Sequence, residues 1–167
     1  MTGVAPWDTW EWTVPPGTTG TTLAEQTDRE SAALQAAVRS LSTTALDRPA
    51  AFDRWSAHDV VAHCVAWAEI CERVLQELSD GTIDLADYRE LPVGEETGDE
   101  LNERQVEQLR GVSVEALLDR LDDAARKVAA TLRGYPGSPP AELVLLTVGD
   151  HLAEHANDLR ELAAADA

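Results

Sequence analysis

The feature that most limits the fold of this chain is an apolar repeat of 3.6 residues, which runs through almost its whole length. It is clearest from Ser56 to Gly81, where apolar residues recur at i, i+3, i+4 and i+7 and Ser56 and Asp59 have capping-box spacing. No internal repeat or strand pattern competes with it, so we expect an all-α fold. The predicted buried face of this helix consists of Val60, Val61, Cys64, Trp67, Ala68, Cys71, Val74, Leu75 and Leu78.

Three other stretches carry the same repeat, and together they predict a four-helix bundle. The first helix is predicted to start at Thr22, which has capping-box spacing to Glu25. The third helix runs from Ser113 to Gly134, and the fourth covers about 141–162. Their inward residues are predicted to be Leu23, Leu34, Val38 and Leu41, then Leu117, Leu121, Ala124, Val128 and Leu132, and finally Val144, Val148, Leu152, Leu159 and Leu162.

Two segments lack the helical repeat. Residues 1–21 are rich in Trp, Pro, Gly and Thr, which predicts an irregular arm before a bundle domain at 22–167. Residues 81–99 form a polar connection that is long enough to act as a lid, and a short helix is expected at 100–110. Three tryptophans lie in the arm, Trp7, Trp10 and Trp12.

Charge and hydropathy limit the partners of the protein. Lys and Arg number 13 against 31 Asp and Glu, so the formal net charge is -18. Such an anion is repelled by phosphate backbones and anionic membranes, and therefore we expect neither nucleic acid nor a membrane as partner. The sequence has no signal-peptide pattern and no apolar run near 18 residues, which predicts a cytoplasmic protein.

The two cysteines are expected to be buried thiols. Cys64 and Cys71 lie seven residues apart in one predicted helix, about 10 Å along its axis, so they cannot form a disulfide with each other. Burial is the usual state of free cysteine. The alternative is that Cys64, next to His63, acts as a nucleophile.

The histidines are the strongest functional signal. His151 and His155 are one turn apart and share a helix face, and His63 borders the apolar face of the second helix, so three imidazoles could bind one metal ion. His58 is about 140° around the helix from His63 and is expected to face solvent or the helix entrance. Three protein ligands leave a coordination position open, as in catalytic metal sites.

A different interpretation of the histidines stays open. The spacing of His151 and His155 also arises by chance, and histidine is often a partly buried residue whose nitrogens bond to neighbours. If a metal is bound, nearby carboxylates could orient the rings; if not, they are surface charge. The carboxylates concerned are Asp150, Glu154 and Asp158.

Three segments of the chain together resemble a known family. They are WSAHDVVAHCVAW, LNERQVEQLRGVSVEALLDRL and HLAEHANDL, and they occur in the order found in the superfamily of DinB and the N-terminal domain of mycothiol-dependent maleylpyruvate isomerase. The resemblance covers roughly residues 22–162 and implies a DinB-like four-helix bundle. It also implies one divalent metal ion, often zinc or nickel, held by the residues that match here, His63, His151 and His155. Zinc is the first expectation, and imidazole ligands by themselves also suit nickel and iron.

The resemblance further implies a class of reaction. Members of this family include transferases and isomerases in which the metal activates mycothiol or another low-molecular-weight thiol for attack on a small electrophile. The alternatives are metal-dependent hydrolysis or rearrangement of a reactive natural product, and a bundle that binds a metabolite without catalysis. A small-molecule substrate and a homodimer are the expected partners, while no catalytic residue is identified. The weak candidates for binding substrate are Trp67, Arg54, Asn102 and Arg104.

Overall fold

The computed structural model describes residues 14–51, 55–84 and 98–166, and within them the fold is helical, as predicted. Three predicted features fall outside these residues: the tryptophans of the arm, in 1–13, Arg54, and most of the polar connection, in 85–97. The helices are α1 (Gly20–Arg39), α2 (Ala57–Ser79), α3 (Gly98–Leu109), α4 (Val114–Arg133), α5 (Ala141–Thr147) and α6 (Asp150–Asp166), with a 3-10 turn at Ala45–Asp47.

Two helix starts follow the predicted capping chemistry and one does not. Ser56 and Asp59 form the expected capping box at the start of α2, and Ser113 caps α4. The prediction for α1 was wrong, because the helix begins about one turn earlier than predicted. The cap is Thr19, whose Oγ1 accepts from the Thr22 amide at 3.2 Å while Oγ1 of Thr22 accepts from the Thr19 amide at 2.8 Å. A threonine pair thus replaces the predicted Thr–Glu pair.

The predicted fourth helix is two helices, α5 and α6. The chain leaves helical geometry at Val148, where φ is -138° and ψ is -24°. Gly149 follows, and a Cβ at this position would lie 3.0 Å from Cα of Leu145. A side chain here would require Leu145 to shift by a few tenths of an ångström, so the close approach favours glycine. Because the chain breaks here, α6 has an N-terminus of its own.

A small β-hairpin joins α1 to α2. Its strands, Pro49–Ala51 and Trp55–Ser56, pair antiparallel with an irregular register. No strand was predicted, because two or three residues are too few to show a period of two. The hairpin matters for the site, since it places Trp55 directly before α2.

The bundle core lies among the four longest helices, α1, α2, α4 and α6. The α1 helix packs against α4 and α6, and α2 packs against α4 and the α5–α6 pair, while α3 lies on the outside of α2. All predicted inward residues of the four helices are buried except three that are only partly so, Leu41, Trp67 and Leu162. Among the described residues, no helix combines the length and the apolar character needed to cross a membrane.

Candidate metal centre

The structure brings His63, His151 and His155 together. One imidazole comes from α2 and two come from α6, and the Nε2 atoms of His63 and His151 are 2.9 Å apart. One ligand atom from each residue can be chosen so that all three lie within 4.8 Å of one another. His63 is 4% exposed and His155 is 3% exposed, whereas His151 is more open to solvent. His151 is therefore the most exposed member of an otherwise buried cluster.

The break between α5 and α6 orients His151. In a continuous helix, the carbonyl of Thr147 would accept from the backbone amide four residues later. Here it accepts instead from the imidazole Nδ1 of His151, at 3.2 Å. With Nδ1 engaged as the donor, Nε2 of His151 keeps its lone pair and is the atom available to a metal ion.

A carboxylate orients His155. Oδ2 of Asp158 lies 3.1 Å from Nδ1 of His155, so Nε2 of His155 is also left available to a metal ion. Asp158 was one of three carboxylates suggested for this role. The other two have different surroundings, since Asp150 accepts from Nε2 of Gln26 at 2.7 Å and Glu154 is exposed.

Burial keeps the three imidazoles neutral. It lowers the pKa of His151 from 6.5 to about 3 and that of His155 to about 4. For His151 the proximity of the His155 imidazole is a second cause, because two positive charges would repel each other. The pKa of His63 is also well below 6.5, first because of burial and then because His151 and His155 are close. Neutral imidazole is the form that binds metal ions, so these rings need not lose a proton near pH 7.

The donor set fits a divalent ion. Nitrogen ligands at about 2.0–2.1 Å in tetrahedral geometry are roughly 3.3 Å from one another. The observed separations, 2.9 Å between His63 and His151 and at most 4.8 Å within the cluster, bracket that value. Three imidazoles suit zinc, nickel and iron alike, and they leave one position for a further ligand.

Two tryptophans line the cluster next to His63. The ring of Trp55 is centred 4.8 Å from the His63 ring at an angle of 49°, and the Trp67 ring meets it edge-on at 6.4 Å. Both indoles are anchored on α3. Trp67 donates to Oδ1 of Asn102 at 3.0 Å, and Trp55 donates to Oε1 of Glu103 at 2.9 Å.

Of the four weak substrate-binding candidates, only Trp67 and Asn102 are shown by the structure to be close to the cluster. Trp67 is partly exposed beside the cluster, and the Asn102 side chain holds it. Arg104 is exposed and lies about 200° around α3 from Asn102, so the two side chains point to different faces of this helix. Arg54 lies outside the described residues.

The remaining histidine and the cysteines are structural. His58 lies at the start of α2, as expected, where its Nε2 is 2.7 Å from the carbonyl oxygen of Val112. Cys64 and Cys71 are both fully buried. Burial raises the pKa of Cys64, helped by the negative charge of Asp158, and this is the opposite of what a nucleophilic thiol requires.

The family model described as the mycothiol maleylpyruvate isomerase N-terminal domain matches residues 27–164. The chain belongs to this family. The match begins inside α1 and ends inside α6, so it spans the bundle and includes the three clustered histidines. This confirms the resemblance seen in the sequence and the DinB-like assignment. Searches of curated proteins and of solved structures found no significant match.

Three features of the centre were not predicted. They are the ring contact of Trp55 with His63, the bond from Trp55 to Glu103, and the role of the Thr147 carbonyl. Trp55 opens the family-like segment and could have been singled out. The Thr147 contact was signalled only by Gly149 within an otherwise helical stretch, and nothing in the sequence links Glu103 to a residue 48 positions earlier.

Proposed function

We propose that this protein is a metal-dependent enzyme that uses a low-molecular-weight thiol, mycothiol being the first candidate, to attack a small electrophile. The observation that carries the proposal is the convergence of three neutral imidazoles from α2 and α6, two of them buried and one partly buried. Membership of a mycothiol-related family supports the thiol as cosubstrate. Addition, transfer and isomerisation all begin with the same attack of sulfur on carbon.

His63, His151 and His155 would hold the ion, and their surroundings prepare them for it. Asp158 and the Thr147 carbonyl each engage one Nδ1, so two of the three rings are oriented before a metal arrives. The indoles of Trp55 and Trp67 pack on the His63 ring, which is only 4% exposed, and they shield it from water. His151 is the most exposed of the three histidines, and we therefore assign thiol and electrophile to its side of the cluster.

A divalent ion at this position would supply Lewis acidity, which lowers the pKa of a bound thiol. In the addition, the thiol sulfur forms a bond to an electrophilic carbon and the thiol proton ends on the adjacent carbon, so no oxidant or reductant is needed. The cysteines of the protein take no part, because Cys64 and Cys71 are buried and have raised pKa values.

Metal analysis of the purified protein, followed by an assay of thiol consumption, tests the proposal. We expect about one divalent ion per chain, held by the three imidazoles, and consumption of mycothiol in the presence of an activated alkene. Chelation should abolish the reaction and added zinc or nickel should restore it. His151→Ala should lose both metal and activity, whereas His58→Gln, which changes the histidine outside the cluster, should keep both.

Other outcomes would favour the alternative functions. Bound metal without any dependence on thiol would contradict the proposed reaction and favour hydrolysis or rearrangement of a reactive metabolite. Absence of both metal and thiol consumption would favour a metabolite-binding bundle.

A further inference from the structure

His63 differs from the other two clustered histidines in its surroundings. Nδ1 of His151 and of His155 each has an oxygen partner, at 3.2 and 3.1 Å. Nδ1 of His63 is buried and has no hydrogen-bond partner in the described part of the chain. Metal-binding histidines usually donate this second nitrogen to an acceptor that fixes the ring. The orientation of His63 must therefore have another source.

Among the described rings outside the cluster, that of Trp55 packs closest on His63. Its centroid lies 4.8 Å from that of His63, the same distance as the His151 ring and closer than the 6.4 Å of Trp67. Trp55 is itself only 4% exposed. Two rings packed at this distance in a closed environment restrict each other's rotation.

Trp55 in turn needs an anchor, because it lies on a strand of only two residues. Its indole Nε1 donates to Oε1 of Glu103 at 2.9 Å. Glu103 belongs to α3, which packs against α2. A contact across 48 residues of sequence thus connects α3 to the ring beside His63.

We propose that Trp55, held by the carboxylate of Glu103, positions His63 for metal binding and replaces the missing hydrogen-bond acceptor. The inference rests on the proposed metal centre. It makes Trp55 and Glu103 positioning residues that act through His63, and it makes α3 part of the metal centre although α3 provides no ligand.

Variants of Glu103 test the anchor through zinc affinity, measured by competition with a chromophoric chelator. Glu103→Leu removes the acceptor and should weaken zinc binding by about 10-fold, the usual cost of losing such support. Glu103→Gln keeps an oxygen acceptor and should bind zinc as the wild type does. The matched control is Glu107→Leu, on an exposed position of the same helix, which should not change the affinity.

The ring contact is tested separately, so that the proposal does not depend on the folding of one variant. Trp55→Phe keeps an aromatic ring beside His63, and should retain more zinc affinity than Trp55→Ala. The visible absorption of the Co²⁺-loaded proteins reports ligand number and geometry. We expect it to change in Glu103→Leu and Trp55→Ala and to be unchanged in Glu103→Gln.

The outcomes separate this inference from the proposed function. If the wild type binds neither zinc nor cobalt, the proposed metal centre is wrong and the inference is wrong with it. If the wild type binds both ions, while Glu103→Leu and Trp55→Ala keep wild-type zinc affinity and the wild-type cobalt spectrum, only the positioning role is overturned.

Discussion

The imidazole of His155 depends on one neighbouring carboxylate. Asp158 engages its Nδ1 at 3.1 Å, and this contact both orients the ring and raises the basicity of Nε2. We expect Asp158→Ala to weaken zinc binding by at least about 10-fold, and Asp158→Asn, which keeps an oxygen acceptor, to lose less. Competition with a chromophoric chelator measures both.

A matched change on the same helix provides the control for Asp158. Glu154 is exposed one turn earlier, so Glu154→Ala should leave zinc affinity unchanged while removing the same charge. Equal losses in Asp158→Ala and Glu154→Ala would show that net charge, and not the contact with His155, governs the affinity.

The thiols of Cys64 and Cys71 should be unreactive in the folded protein. Both are fully buried, and burial raises the pKa of Cys71 to about 12 and that of Cys64 as well. Because the thiolate is the reactive form, Ellman's reagent should modify neither residue in native protein at neutral pH. Both should react once the protein is unfolded in urea. Fast reaction of one thiol in the native state would restore Cys64 as a candidate nucleophile.

At the scale of secondary structure elements, the start of α1 lies against the end of α4 with no room for a side chain. A Cβ on Gly20 would be 2.2 Å from the carbonyl oxygen of Leu132, a backbone atom that cannot simply move aside. Gly20→Ala should therefore lower the free energy of unfolding by about 2 kcal/mol or more. Gly111→Ala is the control, since a Cβ there would have no atom within 4 Å from the rest of the described chain beyond its two neighbours in sequence, and it should change stability by no more than about 0.5 kcal/mol.

Urea unfolding curves of the two glycine variants provide the comparison. A lower midpoint for Gly20→Ala alone would confirm the close approach of the two helices. If the midpoints of Gly20→Ala and Gly111→Ala agree, α1 does not start against Leu132 as the structure places it.

An element can be predicted only if it produces a recognisable pattern in the sequence. Long amphipathic helices produce an apolar repeat, which is why the buried residues of α2 and α4 were predicted. The break at Gly149 was missed because the flanking residues remain apolar and a single glycine is tolerated within helices. The cap of α1 was misassigned because Thr22 fits two capping patterns, as the cap itself and as the third residue after Thr19.

At the scale of the whole molecule, the histidine cluster was only partly predictable. The pairing of His151 with His155 follows from helical geometry alone, but bringing His63 to them requires knowing which helices are neighbours. That knowledge came from the family resemblance and the structure. Contacts such as Trp55 with Glu103 arise from the tertiary fold and have no local signal.

The three clustered imidazoles also couple the stability of the whole fold to pH when no metal is bound. Burial lowers the pKa of His151 from 6.5 to about 3 and that of His155 to about 4, so between these values and 6.5 the unfolded chain binds protons that the native protein does not. Stability must then fall as pH falls below 6.5. At about pH 5.5 each of these two residues should cost about 1.4 kcal/mol relative to neutral pH.

Urea unfolding in the presence of a chelator, at about pH 7.5 and about pH 5.5, measures this cost. Carboxylates also titrate over this range, so the informative quantity is the difference between wild type and His151→Gln, which removes one titrating ring. The wild type should lose about 1.4 kcal/mol more than the variant as the pH is lowered. Equal losses would mean that His151 is protonated as easily in the folded protein as in the unfolded chain, and hence that the imidazole is not held neutral by burial.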